Sequence, residues 1–194
     1  MGLNLAILAS GSGTNAENIT QYFQNKDLAR VKLIITNNAN AFVIQRSKLL
    51  NIPCVVIENS KWKDSNLILN LLREYEIDYI ILAGFLLRIP QAIINNYAYK
   101  VINIHPALLP KYGGKGMYGS NVHKAVILAK EDTSGITIHF CNENYDEGDI
   151  IFQASCPVLS SDTDESLATR IHALEYKHFP EVIEKVLLDQ NSIG

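Results

Sequence analysis

Cysteine is scarce in this chain: Cys54, Cys141 and Cys156 are odd in number, scattered, and never spaced C-x-x-C. That excludes a disulfide framework and a cysteine-built zinc site, and points to a reduced, cytoplasmic setting. Basic charge is in deficit too. Seventeen Lys and Arg stand against 20 Asp and Glu, a net charge of −3. A face built for nucleic acid phosphates would tip that balance the other way, so no nucleic-acid partner is expected. Long apolar runs are missing: the longest, Tyr79 to Leu87, stops at Arg88, short of the ~18–20 residues of a membrane span. No membrane partner is expected. The amino terminus has no basic n-region, and position 6 is alanine; a signal peptide and a myristoylation site are both disfavoured. Eleven glycines and six prolines among 194 residues are too few for a collagenous or low-complexity chain.

What is present describes one globular domain. Apolar residues make up 47% of the chain and charged residues 19%, and 194 residues match the ~100–200 of a typical domain. Short apolar, β-branched runs fall at Leu3–Leu8, Val31–Thr36, Pro53–Ile57, Tyr79–Ala83 and Val101–Ile104. Helical patterns lie between them, near Asn15–Phe23, Ala41–Leu50, Asp64–Tyr75 and Pro90–Tyr97. Leu67, Ile68, Leu69, Leu71 and Leu72 give the third of these a broad apolar face, with Asp64 as its cap. Such alternation needs crossover connections, hence an α/β, Rossmann-like fold: a mostly parallel sheet with helices on both faces. After Pro106 the pattern changes. A Gly-rich loop, Tyr112–Gly119, leads to a helix near Asn121–Lys130 and two strands, Gly135–Cys141 and Ile150–Val158. A long C-terminal helix closes the chain. Asp162 and Glu165 are spaced as a capping box, Leu167, Ile171 and Leu174 form its buried stripe, and Pro180 is expected to kink or restart it.

Chemistry first appears after strand one, in Ala9-Ser10-Gly11-Ser12-Gly13-Thr14-Asn15-Ala16. Glycines here let backbone amides approach an anion at a helix start. The Gly11-x-Gly13-x-x-Ala16 pattern fits a dinucleotide fingerprint, but Thr36-Asn37-Asn38 ends strand two without the acidic residue a ribose requires. Phosphate is therefore favoured over a nicotinamide cofactor; the structural alternative is a tight turn with no ligand. In Asn103-Ile104-His105-Pro106 the strand period puts Asn103 and His105 on one face, at a carboxyl end where α/β sheets bind ligands. An amide there can donate to an oxyanion, and an imidazole can carry a proton. There is no G-x-S-x-G and no H-E-x-x-H, so a serine hydrolase and a zincin find no support. His105, His123, His139, His172 and His178 do not pair at metal spacing. His139-x-Cys141 reads as a half-buried strand, and His172 and His178 as surface or boundary residues. No metal is expected.

Four blocks together resemble the phosphoribosylglycinamide formyltransferases, within the folate-dependent formyltransferases: Gly11-Ser12-Gly13-Thr14-Asn15, Leu82-Ala83-Gly84-Phe85, Asn103-Ile104-His105-Pro106-Ala107-Leu108-Leu109-Pro110-Lys111-Tyr112, and Asp146-Glu147-Gly148-Asp149-Ile150-Ile151. The resemblance implies one formyltransferase domain over residues 1–194, with a nucleotide-binding half at 1–100 and a catalytic, folate-binding half at 101–194. It implies formyl transfer from 10-formyltetrahydrofolate, as co-substrate, to the amine of 5-phosphoribosylglycinamide in purine biosynthesis, by a monomer or homodimer. Methionyl-tRNA formyltransferases share the catalytic block but normally add a tRNA-binding domain; this chain ends soon after the first domain, at a pI near 5.9, which favours the small nucleotide. A formyltransferase of a sugar nucleotide amine and an inactive nucleotide- or folate-binding module are the alternatives.

By the same resemblance, Asn103, His105 and Asp146 are the catalytic trio. Gly13, Thr14 and Asn15 hold the ribonucleotide phosphate, and His172 and Glu175 contact the ribonucleotide. Leu86, Leu87, Arg88 and Ile89, with Asn103 and the turn Asn142, Glu143, Asn144, Tyr145 and Asp146, form the folate site. Asn103 and a protonated His105 would stabilise the tetrahedral oxyanion, each donor being worth about 3–4 kcal/mol. Asp146 would hold the His105 pKa above its ordinary ~6.5. Two departures from the family pattern stand out: Arg88 falls one place late, and the loop Gly113–Gly119 is longer, either a lid or a passive surface loop.

Overall fold

The computed structural model describes residues 2–191; Met1 and residues 192–194, the two ends of the expected domain, lie outside them. The chain divides into two compact units, Met1–Ile102 and Asn103–Gly194. The first contains β1 (Leu3–Leu8), α1 (Thr14–Phe23), β2 (Ala29–Thr36), α2 (Val43–Leu49), β3 (Cys54–Val56), α3 (Ser65–Glu74), β4 (Tyr79–Leu82) and α4 (Gln91–Asn96). Its strands run parallel in the order β3-β2-β1-β4. Ile7 of β1 stands in register with Ile34 of β2 on one side and Ile81 of β4 on the other. β1 is buried from Asn4 onward and β4 along its whole length, as expected of parallel strands covered on both faces.

The helices of this unit bury stripes of spacing three and four: Ile19 and Phe23 of α1, and Ile68, Leu69 and Leu72 of α3. Each such side chain taken fully out of water contributes roughly 1.5–3 kcal/mol. The α3 stripe is narrower than the leucine run suggests, because Leu67 is 43% exposed. Asp64 caps α3 as expected, its Oδ1 accepting from Asn66 N and Leu67 N at 3.1 Å each.

Strand β5 (Val101–His105) runs through the division, and the second unit continues with α5 (Ser120–Leu128), β6 (Thr133–Phe140), β7 (Ile150–Pro157) and α6 (Asp164–Asn191). β6 and β7 are antiparallel, with a register shift between Ile138 and His139. α6 packs on β6, β7 and α5, and Leu167, Ile171, Phe179 and Ile183 are fully buried. Two details differ from the sequence pattern. The cap of α6 is reciprocal between Thr163 and Ser166: Ser166 N donates to Thr163 Oγ1 at 3.2 Å and Thr163 N donates to Ser166 Oγ at 3.0 Å. Asp162 is instead engaged by Leu159 N and Arg170. Pro180 lies inside one continuous helix rather than restarting it; Phe179, Val182 and Ile183 around it are buried, and their packing offsets the missing N–H. The α/β, mostly parallel class and the long final helix are as the alternation predicts. Among the described residues, no helix is long and apolar enough to cross a membrane.

Candidate active site

In the first unit, the turn after β1 is fixed by side chains before any ligand is considered. Gly13 is the N-cap of α1 at φ +74°, a conformation that favours glycine. A Cβ there would also fall 2.4 Å from Val43 Cγ2. This glycine is thus required by backbone and packing alike, not solely by an approaching anion. Arg46 pairs with Glu17 and donates from Nε to the Ser12 carbonyl at 2.9 Å. Ser10 Oγ donates to Asn37 Oδ1 at 2.6 Å and accepts from Leu86 N at 3.0 Å. Gly13, as the N-cap residue, offers no side chain to the first turn of α1, whose amides are the ones an anion could take. Thr14 is half-buried and Asn15 buried. The segment Leu86–Ile89 is anchored by Trp62, whose Nε1 donates to the Arg88 carbonyl at 3.0 Å. Leu86 and Arg88 are exposed, Leu87 is half-buried and Ile89 buried.

In the second unit, β5, β6 and the turn after β6 bring four polar side chains together. Asn103 and His105 share one face of β5 and both meet Asp146, which itself sits at φ +58°. Asp146 Oδ2 accepts from Gly114 N at 2.8 Å and stands 3.5 Å from His105 Nδ1. Asn103 Nδ2 lies 3.0 Å from His139 Nε2 and 3.5 Å from Asp146 Oδ1. Each imidazole has a carbonyl on its other nitrogen. His105 Nε2 is 2.7 Å from the Tyr112 carbonyl, and His139 Nδ1 is 2.9 Å from the Phe140 carbonyl. A carbonyl only accepts, so His105 carries its proton on Nε2 when neutral, and His139 on Nδ1. Nδ1 of neutral His105 is then a base, facing Asp146. Nε2 of neutral His139 accepts from Asn103, which fixes the orientation of that amide.

His139 is the member that sequence reasoning missed. The strand pattern predicts a half-buried position; His139 is 1% exposed, in place beside Asn103 and Asp146. The register shift lies beside it, and bulges of this kind re-aim side chains near sites. The available signal was the polar alternation Thr137-His139-Cys141. Thr137 is equally engaged: its Oγ1 donates to the Ala107 carbonyl at 2.7 Å and accepts from Leu109 N at 2.9 Å and Gln153 Nε2 at 2.8 Å. Gln153 Nε2 also reaches the Leu109 carbonyl at 3.0 Å. The pair thereby clamps the segment between His105 and the Tyr112 carbonyl that the histidine uses.

The electrostatics correct one expectation. Burial lowers the His105 pKa below its ordinary value, outweighing Asp146 and the Tyr112 carbonyl, which pull it up. The resting imidazole is therefore neutral near pH 7, not cationic. Asp146 is the reverse case. Burial pushes its carboxyl up, but His139, His105 and the Gly114 N–H together hold it below the usual value. His139 Nε2 is 3.7 Å from Oδ1, beyond hydrogen-bond length, so it acts on the carboxylate through space, by the charge of its protonated form, and not as a bonded donor. The loop Gly113–Gly119 is no passive surface segment at its start, since Gly114 N binds Asp146.

On α6, Glu175 is buried and stands 3.0 Å from His172 Nδ1, whose pKa that carboxylate raises. In the turn after β6, Asn142, Glu143, Asn144 and Tyr145 are exposed, and Asn142 Oδ1 accepts from Asn144 N at 2.9 Å. Asp146, by contrast, is drawn inward. Among the described residues, no group of three or more His, Cys, Asp or Glu side chains is arranged to hold a metal ion.

Comparison with known proteins identifies the family. The family model described as "Formyl transferase" matches residues 3–183. A chloroplastic phosphoribosylglycinamide formyltransferase of Vigna unguiculata is 38% identical over 185 residues, 93% of this chain and 59% of the relative. The chain therefore spans about three fifths of that plant relative's length. The phosphoribosylglycinamide formyltransferase of Haemophilus influenzae is 33% identical over 185 residues, 93% of this chain and 85% of the relative. Among solved structures, the phosphoribosylglycinamide formyltransferase of Anaplasma phagocytophilum superposes with a TM-score of 0.89 at 33% identity, covering 97% of this chain and 89% of that one. A family match over nearly the whole length, joined to the Asn103–His105–Asp146 geometry, places the chain: it belongs to the formyl transferase family.

Proposed function

We propose that the protein is a phosphoribosylglycinamide formyltransferase: it moves the formyl group of 10-formyltetrahydrofolate to the amine of 5-phosphoribosylglycinamide, a step of purine biosynthesis. The observation that carries this reading is the cluster of Asn103, His105 and Asp146, with His105 Nδ1 3.5 Å and Asn103 Nδ2 3.5 Å from the Asp146 carboxylate. In the reaction the substrate amine attacks the formyl carbon, forming a C–N bond and a tetrahedral oxyanion. Collapse breaks the bond from that carbon to the folate nitrogen. One proton must pass from the attacking amine to the leaving nitrogen. His105 Nδ1 can accept it, Asp146 stabilises the imidazolium so formed, and the same proton is then available to the leaving group. Asn103 Nδ2 has one N–H committed to His139 and one in a long 3.5 Å contact with Asp146. That second N–H is the donor to the oxyanion. Burial of the cluster strengthens each of these interactions relative to water.

The remaining roles follow the same reading. Residues 1–100 form the nucleotide-binding half of a single domain and 101–194 its catalytic half. Gly13, Thr14 and Asn15 hold the phosphate, His172 and Glu175 the ribonucleotide, and Leu86–Ile89 with the turn Asn142–Asp146 the folate. Substrate competition tests the assignment. With 10-formyltetrahydrofolate fixed, 5-phosphoribosylglycinamide is expected to out-compete a sugar nucleotide amine by at least ~100-fold in kcat/KM. A preference for the sugar nucleotide overturns it.

A further inference from the structure

Tyr112 supplies the carbonyl that takes the Nε2 proton of His105 at 2.7 Å, and two residues later Gly114 N binds Asp146 at 2.8 Å. This short stretch of backbone therefore governs both members of the proton-transfer pair. The stretch does not hold itself. Tyr112 sits at φ +57°, a conformation that a residue with a Cβ keeps only with support from its surroundings. That support comes from Glu131, between α5 and β6. Its Oε1 accepts from the Tyr112 hydroxyl at 2.9 Å and from Lys111 Nζ at 2.9 Å, and its Oε2 lies 3.2 Å from Lys111 Nζ. Lys111, and after it Tyr112, hold the Glu131 carboxyl below its usual pKa, so it is ionised. Glu131 is itself tied down, since its N–H donates to the Val126 carbonyl at 3.3 Å. It lies outside all four blocks that carry the family resemblance.

The Tyr112 carbonyl matters because Asp146 competes with it. An ionised carboxylate 3.5 Å from Nδ1 favours the proton on that nitrogen, where the ring would donate to it. The shorter contact at Nε2 favours the proton there. Were the carbonyl to withdraw, the neutral ring would pass to its Nδ1–H form, and Nδ1 could no longer accept a proton. We infer that Glu131 is a positioning residue: through Tyr112 it keeps the proton of neutral His105 on Nε2 and leaves Nδ1 free as the base. This rests on the reaction proposed above and adds to it a residue that acts on His105 only through Tyr112.

The test reads the His105 ring by ¹⁵N NMR at a pH where it is neutral, together with formyl-transfer kinetics. Wild type is expected to carry the proton on Nε2. In Glu131→Ala the Nδ1–H form should become the major one. There kcat should fall at least ~10-fold, part of the ~100–10,000-fold that a positioned base supplies, and the Michaelis constants should move less. Glu131→Gln keeps an oxygen for the Tyr112 hydroxyl and loses the charge that pairs with Lys111, whose side chain is 67% exposed. Such exposed pairs contribute little, so Glu131→Gln should restore the Nε2–H form and most of kcat. Should Glu131→Ala fail to fold, Tyr112→Phe removes the same hydroxyl contact and should show the same shift. A ring that stays Nε2–H in the folded variant overturns the inference, as does a tautomer shift that leaves kcat unchanged. Failure of the underlying reaction looks different: wild type then transfers no formyl group, while the tautomer still answers to Glu131.

Discussion

Replacing Asp146 with Asn keeps the side chain's size and most of its hydrogen bonding while removing one charge. At 3.5 Å from His105 Nδ1, a carboxylate and an imidazolium attract by about 1.2 kcal/mol at the dielectric of water and about 4–5 kcal/mol at an effective value of about 20. Both side chains are buried, so the true figure lies between these limits. Removing the charge should therefore lower the His105 pKa further. The imidazolium formed during proton transfer loses the same support. We expect Asp146→Asn to cut turnover at least ~100-fold, equivalent to about 2.7 kcal/mol of barrier. The assay is formyl transfer at saturating substrates, with ring NMR of His105 titrated in both proteins. Glu147→Gln, an exposed neighbour in the same turn, should change neither. If the His105 titration stays where it was in Asp146→Asn, the electrostatic coupling is wrong, even should turnover fall.

Other outcomes follow from the same structure. Thr137→Val keeps shape but strips three hydrogen bonds, two of them buried, from the clamp, so urea unfolding should show a loss of about 1–3 kcal/mol; an unchanged midpoint would mean the clamp carries no stability. Gly13→Ala meets both a left-handed backbone and Val43, and a melting curve should show at least ~1 kcal/mol of destabilisation even without ligand, whereas a fold unaffected by alanine would return Gly13 to a purely ligand-facing role. His105 and His123 both have pKa values lowered by burial. The unfolded chain then binds more protons below ~6.5, so stability is complete above that pH and falls as pH drops below it, by up to about 1.4 kcal/mol per pH unit for each histidine. Denaturant titrations between pH 7 and 5 check this in a His172→Gln background, because the raised pKa of His172 acts in the opposite sense over the same range, and a flat profile there contradicts it.

The fold was more legible than the site's geometry, for physical reasons. The strands of the first unit are apolar on both faces, so short β-branched runs such as Leu3–Leu8 mark them directly. Helix ends depend on which of several adjacent polar residues turns toward the backbone, so Thr163 and Ser166 cap α6 where the spacing favoured Asp162 and Glu165. The alternation of β5 correctly put Asn103 and His105 on one face. His139 escaped because its partners lie far along the chain and because a register shift, invisible to a strict period of two, lies beside it. The protonation state of His105 is not legible in the sequence because burial depth is a tertiary quantity: the nearby carboxylate shows in the motif, the stronger desolvation does not.

The central claim is best tested by single-turnover formyl transfer with ¹³C-labelled 10-formyltetrahydrofolate and 5-phosphoribosylglycinamide, followed by mass spectrometry of the nucleotide. The account predicts one labelled formyl group on the glycinamide nitrogen for each tetrahydrofolate released, with the signal lost in His105→Ala. Binding of both ligands without label transfer would contradict it, as would label transfer that His105→Ala leaves unchanged.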